Sequence, residues 1–167
     1  MPVQALFGLS VAFGFVAWGI VAAYVMWPAL RGRQRLDALR PLLILHSFRF
    51  LGLSFLIPGV VSPDLPAAFA VDAAYGDIAT AILALLSLAT LRSPLGMPLV
   101  WIFNVWGSLD LLNAFYQASQ AGLVPGQFGA AYFIPTAIVP LLLITHGLIF
   151  RLLLRGATEG SRVHLAP

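Results

Sequence analysis

Long apolar stretches alternate with short polar connections along the whole chain. A helix needs about 20 apolar residues to cross the hydrocarbon core of a bilayer. Because lipid offers no partner to backbone N–H and C=O groups, such a stretch must satisfy them within its own helix. The pattern therefore predicts an all-α integral membrane protein with five transmembrane helices, at about residues 3–30, 41–61, 66–91, 98–119 and 130–154.

The connections between these stretches are short, so we expect neighbouring helices to run antiparallel within one bundle. Residues 1–155 are predicted to form this single five-helix transmembrane domain. The segment 156–167 consists mostly of small and polar residues. We therefore predict that it forms a disordered cytoplasmic tail.

The composition excludes several classes of protein. With 60% hydrophobic and 9% charged residues, the chain is neither an ordinary soluble domain nor a disordered segment. The absence of cysteine excludes disulfides, thiolate catalysis and iron–sulfur clusters. The sequence has no nucleophile elbow, zinc-protease motif or phosphate-binding loop, which favours a role without catalysis. It also has no nucleic-acid-binding motif, so the expected partner is the lipid bilayer.

The arginines indicate how the helices are oriented. Four follow the first apolar stretch, one follows the third and two end the fifth: Arg31, Arg33, Arg35, Arg40, Arg92, Arg151 and Arg155. The opposite side carries Asp64 and Asp72 and no arginine. Because cytoplasmic loops are enriched in basic residues, we predict the N-terminus outside and the C-terminus in the cytoplasm. The expected location is a plasma membrane of the bacterial type.

Ionisable residues inside the predicted spans are the unusual feature of this sequence. An ionisable group near the bilayer centre costs about 2.5–3.5 kcal/mol on insertion scales, so such residues are candidates for functional sites. We place five of them in the bilayer interior, which are His46, Arg49, Asp77, Asp110 and His146.

Three of these residues are expected to meet. Counted from the cytoplasmic end at 1.5 Å per residue, Arg49 lies roughly 12 Å deep, Asp110 roughly 18 Å and Asp77 roughly 20 Å. Asn113 shares a helix face with Asp110, whereas Asn104 points roughly 120° away at 100° per residue. We therefore predict a buried polar cluster of Arg49, Asp77, Asp110 and Asn113.

Two interpretations of this cluster stay open at the level of sequence. In one, the arginine neutralises the acids and the network only fixes which helices pair, as in a structural or assembly subunit. In the other, the cluster lines a pathway or pocket for a proton, an ion or a small polar solute. Two acids and one base give it a formal charge of −1. Five helices are few for a complete transport pathway, so we also expect a homo-oligomer or a larger membrane complex.

The two histidines give an alternative hypothesis. His46 lies near the start of the second span and His146 near the end of the fifth, so both fall roughly 8 Å from the cytoplasmic boundary. Equal depth on two helices is what ligation of a b-type haem requires, as in a haem- or quinone-binding anchor subunit. A hydrogen-bonded core histidine is the simpler interpretation. The sequence does not determine whether the two spans are adjacent, and it predicts no metal site and no catalytic residue.

Small residues and prolines indicate how the helices pack. Gly8 and Gly19, with the alanines between and after them, form a face on the first span that favours close helix approach. Pro135 and Pro140 both lie in the fifth span. Since proline removes a backbone donor, we expect a kink there and carbonyls without their helical partners.

Overall fold

The computed structural model describes residues 2–163, with side chains from residue 2 to residue 155, and this part of the chain is almost entirely helical. Helix α1 covers Val3–Arg31 and contains a π-helical turn at Ala22–Met26. The other long helices are α2 at Arg35–Leu56, α3 at Ala67–Thr90, α4 at Gly96–Gln120, and α5, which begins as a π-helical turn at Ile134–Ile138 and continues as Val139–Val163. A short 3₁₀ helix, Pro125–Tyr132, precedes α5.

Four of these helices are long and apolar enough to cross a membrane: α1, α2, α3 and α5. The fourth predicted span corresponds to α4, a helix of 25 residues that does not belong to this group. Its polar side chains lower its mean hydropathy, and they include Asn104, Asp110, Asn113 and Gln117. The predicted all-α class is therefore confirmed, with four membrane-length apolar helices and a more polar fifth.

Helix α2 begins earlier than predicted. It starts at Arg35, so Pro41, the first residue of the predicted second span, lies inside the helix. Asp37 lies in the first turn, where its carboxylate is favoured by the helix dipole. The helix also ends at Leu56, before the predicted boundary at Val61.

The second half of α2 changes its helical type. Residues Ser47–Leu56 form a 3₁₀ helix, in which side chains three residues apart point in the same direction. His46, Arg49, Gly52 and Phe55 follow this spacing, and all four are buried. In an α-helix, at 100° per residue, the first and last of them would lie on opposite faces. The 3₁₀ conformation therefore places these four residues on one face of α2, which is directed into the bundle.

Helix α3 lies at the centre of the arrangement, between α2 and α4. Its buried face is made largely of alanines, including Ala70, Ala74, Ala81 and Ala84. Small side chains of this kind let helix backbones approach each other closely in a membrane. This close approach brings the polar side chains of α2, α3 and α4 within hydrogen-bond distance.

Helix α1 packs against the proline-containing start of α5. The ring nitrogen of Pro140 has no hydrogen to donate to the Thr136 carbonyl one turn earlier. A Cβ built on Gly14 would overlap that carbonyl oxygen, so the glycine lets α1 sit directly on it. A Cβ built on Gly8 or Gly19 of the predicted small-residue face would meet no atom within 4 Å, so the close approach that these glycines were expected to make is made by Gly14 instead.

The last helix extends beyond the predicted end of the fifth span. The sequence placed that end at Leu154 and a disordered tail after it, whereas α5 continues to Val163. No proline or turn interrupts this stretch of sequence. Residues 164–167 of the predicted tail lie outside the described residues. At the same end of the bundle, the guanidinium carbons of Arg151 and Arg155 lie 3.9 Å and 4.4 Å from the centre of the Trp27 ring.

Candidate functional site: a buried ionic cluster

Arg49 is the centre of the polar network. Its side chain is completely buried and donates hydrogen bonds to two helices. Nε donates to Asp77 Oδ1 of α3 at 2.7 Å, Nη1 donates to the Gly107 carbonyl of α4 at 3.0 Å, and Nη2 donates to Asp110 Oδ2 of α4. Nη2 also lies 2.6 Å from Asp77 Oδ1. The predicted pairing of Arg49 with both acids is present.

One guanidinium therefore serves two carboxylates in a buried location. The side chains of Asp77 and Asp110 retain 11% and 16% of their exposure, whereas that of Arg49 retains none. If all three groups are ionised, the cluster has a formal charge of −1. Pairing makes buried charges tolerable, because an isolated ion in a low-dielectric interior is far more costly than an ion pair. The unbalanced negative charge is a property that a purely structural ion pair does not need.

Two glycines make space for the carboxylates. A Cβ built on Gly52 of α2 would overlap the Asp77 carboxylate, and one built on Gly76 of α3 would overlap that of Asp110. Each acid is thus seated against the bare backbone of the neighbouring helix. The sequence places a glycine three residues after Arg49 and one residue before Asp77, which fits a site built by close helix approach.

Each carboxylate keeps one oxygen without a hydrogen-bond donor. Arg49 contacts Asp77 Oδ1 and Asp110 Oδ2. No side chain or backbone N–H in the described part of the chain donates to Asp77 Oδ2 or Asp110 Oδ1. A carboxylate has about four acceptor positions, so both acids retain unused acceptor capacity.

Both carboxylates line one cavity, which we call the carboxylate cavity. Its volume is about 50 Å³, and it lies among α1, α2, α3, α4 and the start of α5. Apart from Asp77 and Asp110, the lining is apolar. Five phenylalanines contribute to it, which are Phe7, Phe55, Phe69, Phe115 and Phe128.

A second cavity lies on the α2 side of the cluster. It has a volume of about 190 Å³ and is lined by Arg49, Gly52 and Asp77 together with apolar residues of α2 and α5. Asp77 and the residues Ile134 and Val139 line both cavities. The Asp77 carboxyl group therefore stands between two spaces, next to the irregular start of α5.

The predicted fourth member of the cluster lies elsewhere. Asn113 is exposed and makes no hydrogen bond to Arg49 or to either acid, so the prediction that it belongs to the buried cluster is wrong. It lines a narrow space of about 10 Å³ beside Asp110, in which Gln117 and Asp72 are joined by a hydrogen bond of 3.3 Å. This space connects the cluster to the polar end of α4.

Asn104 is the polar residue of α4 that is fully buried, although the sequence predicted only that it points away from the Asp110 stripe. Its Oδ1 lies 2.7 Å from His146 Nδ1, and its Nδ2 lies 3.3 Å from the His146 carbonyl oxygen. Gly107, one turn along α4, has the His146 ring packed against it. No signal in the sequence pairs Asn104 with His146, because the contact depends on how α4 is rotated against α5.

The two histidines are in contact. The ring centroids of His46 and His146 lie 4.1 Å apart, and both residues are buried. The structure thus places α2 beside α5, an adjacency that the sequence left undetermined. Phe103 packs against both rings, with centroid distances of 5.1 Å to His46 and 5.3 Å to His146.

Hydrogen bonds determine the neutral tautomer of each ring. Asn104 Oδ1 can only accept, so His146 Nδ1 carries the hydrogen. Thr145 Oγ1 donates to helix carbonyls at 2.9 Å and 3.0 Å, so it accepts from His46 Nε2 at 3.0 Å. The remaining nitrogens, His46 Nδ1 and His146 Nε2, have no partner among the described residues.

Haem ligation by these histidines stays a prediction. In this arrangement the two imidazole rings are in contact, so a porphyrin could be ligated between them only if the rings moved apart. A Soret band that disappears in His46→Ala and in His146→Ala would support it. For other metals, no group of three or more His, Asp or Glu side chains that could hold an ion occurs in the described residues.

The fold and the cluster define a small all-helical protein in which membrane-length helices surround a buried ionic network. Residues 6–154 match a family model described as Domain of unknown function (DUF8737). Since the match covers most of the chain, the protein belongs to this family. No curated protein matches the chain, and no solved structure matches it.

Proposed function

We propose that this protein is a small polytopic membrane protein that handles a proton, a cation or another small polar solute through Arg49, Asp77 and Asp110. One observation carries the proposal: two buried carboxylates share a single guanidinium, and both line the same cavity. Ionisable groups inside membrane-spanning segments are rare and mark ion and substrate pathways and proton relays, so they are candidates for functional sites.

The charge of the site favours a positive species over an anion. Two carboxylates and one guanidinium leave one negative charge unbalanced, and each acid has an oxygen without a donor. A proton or a cation completes this charge, whereas an anion would add to the repulsion. The narrow polar space beside Asp110 extends from the cluster toward Asp72 of α3 and Gln117 near the end of α4.

In this proposal all five long helices cross the membrane, with the N-terminus outside and the C-terminus in the cytoplasm. Helix α4 has 25 residues, enough to span, and its residues Asn104 and Gly107 are buried inside the bundle. The basic residues at the ends of α1 and α5 then contact the cytoplasmic leaflet of a plasma membrane of the bacterial type. Because the bundle is small, we propose that it works as a homo-oligomer or within a larger membrane complex.

The competing role is that of a structural subunit. The hydrogen bonds of Arg49 join α2 to α3 and α4, so they also hold the bundle together. The two roles differ in what happens when an acid is neutralised but the shape of its side chain is kept. A structural cluster then loses stability, while a proton or cation site loses transfer across the membrane.

The experiment is proton flux in proteoliposomes containing the full chain, a trapped pH-sensitive dye and an imposed pH gradient. We expect flux in the wild type and its loss in Asp77→Asn and in Asp110→Asn, each checked for folding by circular dichroism and monodisperse elution. Asp64→Asn changes the same charge at an exposed position away from the cluster and is the matched control. Folded Asp77 and Asp110 variants with wild-type flux would contradict the proposal, and a wild type without flux would exclude the proton as the species handled.

A further inference from the structure

We propose that an anionic phospholipid binds at the arginine-rich end of the bundle, with its phosphate at Arg40 of α2 and Arg92, which follows α3. These two residues line a surface cavity of about 210 Å³ between the start of α2 and the end of α3, which we call the basic cavity. The inference does not involve the Arg49 cluster. It therefore goes beyond the proposed function and can be tested separately from it.

The arginines of the basic cavity are available for a ligand. Arg40 and Arg92 are exposed, and in the described part of the chain neither guanidinium has an ion pair, a hydrogen bond or a ring contact. At the same end of the bundle, by contrast, Arg151 and Arg155 lie over the Trp27 ring. A guanidinium presents donors in a fork that matches phosphate oxygens, so the unpaired arginines favour a phosphate group.

The charge around the basic cavity is positive. An adjoining cavity of about 520 Å³ shares Asp37 and Arg40 with it and is also lined by Arg33. Three arginines and one aspartate give the two cavities together a formal charge of +2. The Asp37 carboxylate can accept a hydrogen bond from a hydroxyl group. A headgroup that carries both a phosphate and hydroxyls, such as that of phosphatidylglycerol, therefore suits this lining.

Exposed apolar side chains continue from the basic cavity along both helices. On α2, Ile44 follows Arg40 by about one turn and is exposed. On α3, Leu85 and Ile82 share a helix face with Ala89, which lines the basic cavity, and both are exposed. A positive cavity with an apolar surface next to it matches a lipid, whose headgroup and acyl chains are joined in the same order.

The floor of the basic cavity is apolar and firmly placed. It is formed by Leu36 of α2 with Leu88 and Leu91 at the end of α3. Leu91 is buried, and the other two pack against the same hydrophobic core. Since these contacts hold the start of α2 against the end of α3, Arg40 and Arg92 are presented by a packed pair of elements.

The size of the basic cavity agrees with a lipid headgroup. A cavity needs about 10–15 Å³ for each water-sized group, so a volume of about 210 Å³ holds roughly 14 non-hydrogen atoms. A glycerol phosphate group has about ten. Basic pockets between membrane helices on the cytoplasmic side bind anionic headgroups, and the proposed topology places this end of the bundle in the cytoplasm.

Other ligands match these features less well. A soluble anion would use the arginines but would leave the apolar surface beside them uncovered. A zwitterionic phospholipid would bring its ammonium group close to the arginines, where like charges repel. An anionic phospholipid places its charge at the arginines and its hydrocarbon on the apolar surface.

The test is native mass spectrometry of the full chain in a nonionic detergent, titrated with phosphatidylglycerol or with phosphatidylcholine of the same acyl chains. We expect the first phosphatidylglycerol to bind at least tenfold more tightly than phosphatidylcholine. Arg40→Gln and Arg92→Gln should each weaken phosphatidylglycerol binding at least fivefold. Arg31→Gln is the matched control, because Arg31 is exposed at the same end and lines neither cavity, so it should leave binding unchanged.

A second variant tests the cavity without changing its charge. Ala89→Trp fills the basic cavity and keeps both arginines, so we expect it to lose phosphatidylglycerol binding as well. Excess glycerol phosphate, which has the phosphate but no acyl chains, should not displace the lipid. Equal binding of the two lipids, an equal loss in Arg31→Gln, wild-type binding in folded Ala89→Trp, or displacement by glycerol phosphate would each overturn the inference.

Discussion

The imidazole rings of His46 and His146 lie in contact at the centre of the bundle, with 4.1 Å between their centroids. Each ring uses one nitrogen in a hydrogen bond, His46 with Thr145 and His146 with Asn104. These bonds hold the two rings in opposite neutral tautomers. The contact also joins α2 to α5 beside the Arg49 cluster, since the Gly107 backbone lies against the His146 ring and accepts a hydrogen bond from Arg49.

The tautomers can be observed directly. We expect ¹⁵N spectra of histidine-labelled protein to show hydrogen on Nε2 of His46 and on Nδ1 of His146. Asn104→Leu removes the acceptor for His146 and should change the signals of that ring, while Thr145→Val should change those of His46. If each substitution leaves its histidine in the wild-type tautomer and shift, the assigned hydrogen bonds are wrong.

Gly76 is predicted to tolerate no side chain. A Cβ at this position would overlap the Asp110 carboxylate, so Gly76→Ala must displace the acid or separate α3 from α4. Overpacking of this kind costs about 1–3 kcal/mol. Gly8→Ala is the matched control, since its Cβ would have no neighbour within 4 Å. Thermal unfolding in detergent should show a lower midpoint for Gly76→Ala alone, and equal midpoints would contradict the packing.

Replacing Arg49 with a neutral residue is expected to destabilise the protein unless Asp77 and Asp110 are neutralised at the same time. Arg49→Gln leaves two buried carboxylates without a cation, a change that costs about 3–5 kcal/mol when a buried pair is broken. The triple variant Arg49→Gln, Asp77→Asn, Asp110→Asn removes the charges together and should recover much of that loss. Denaturant unfolding of the single and triple variants measures the coupling. Additive losses would show that the three side chains do not interact.

The chain has no cysteine, so single cysteines report which side of the membrane each loop faces. Ser93 precedes α4, and Ser119 lies near its end; both are exposed. If α4 crosses the membrane, an impermeant thiol reagent added to sealed vesicles labels only one of Ser93→Cys and Ser119→Cys. Ser62→Cys, which follows α2, should behave like Ser119→Cys. Labelling of both ends of α4 from the same side would exclude five spans.

The ion pairs could be predicted from sequence because an unpaired charge in the bilayer interior is costly. Arg49, Asp77 and Asp110 interrupt apolar stretches, and a charge in such a stretch needs a partner at similar depth. Counting residues from the helix ends was enough to match the depths. The same reasoning brought His46 and His146 to one level, although it did not determine which helices are neighbours.

What sequence reasoning missed depends on the direction in which side chains point. It assumed a regular α-helix, whereas the 3₁₀ segment after His46 changes the angle between successive residues and brings Arg49 and Gly52 to one face. It also placed Asn113 in the interior, yet α4 is rotated so that Asn104 and Gly107 face inward. Helix rotation is determined by packing against neighbours, and a single sequence does not reveal those neighbours.

The central claim is that Asp77 and Asp110 form a site able to take up one positive charge. Infrared difference spectra of the protein in nanodiscs, recorded as the pH is lowered, detect the carbonyl stretch of a protonated buried carboxyl group. We predict one such band in the wild type that is lost or shifted in both Asp77→Asn and Asp110→Asn and is unchanged in Asp64→Asn. A wild type with no titrating buried carboxyl band, or a band that persists unchanged in both variants, would contradict the account.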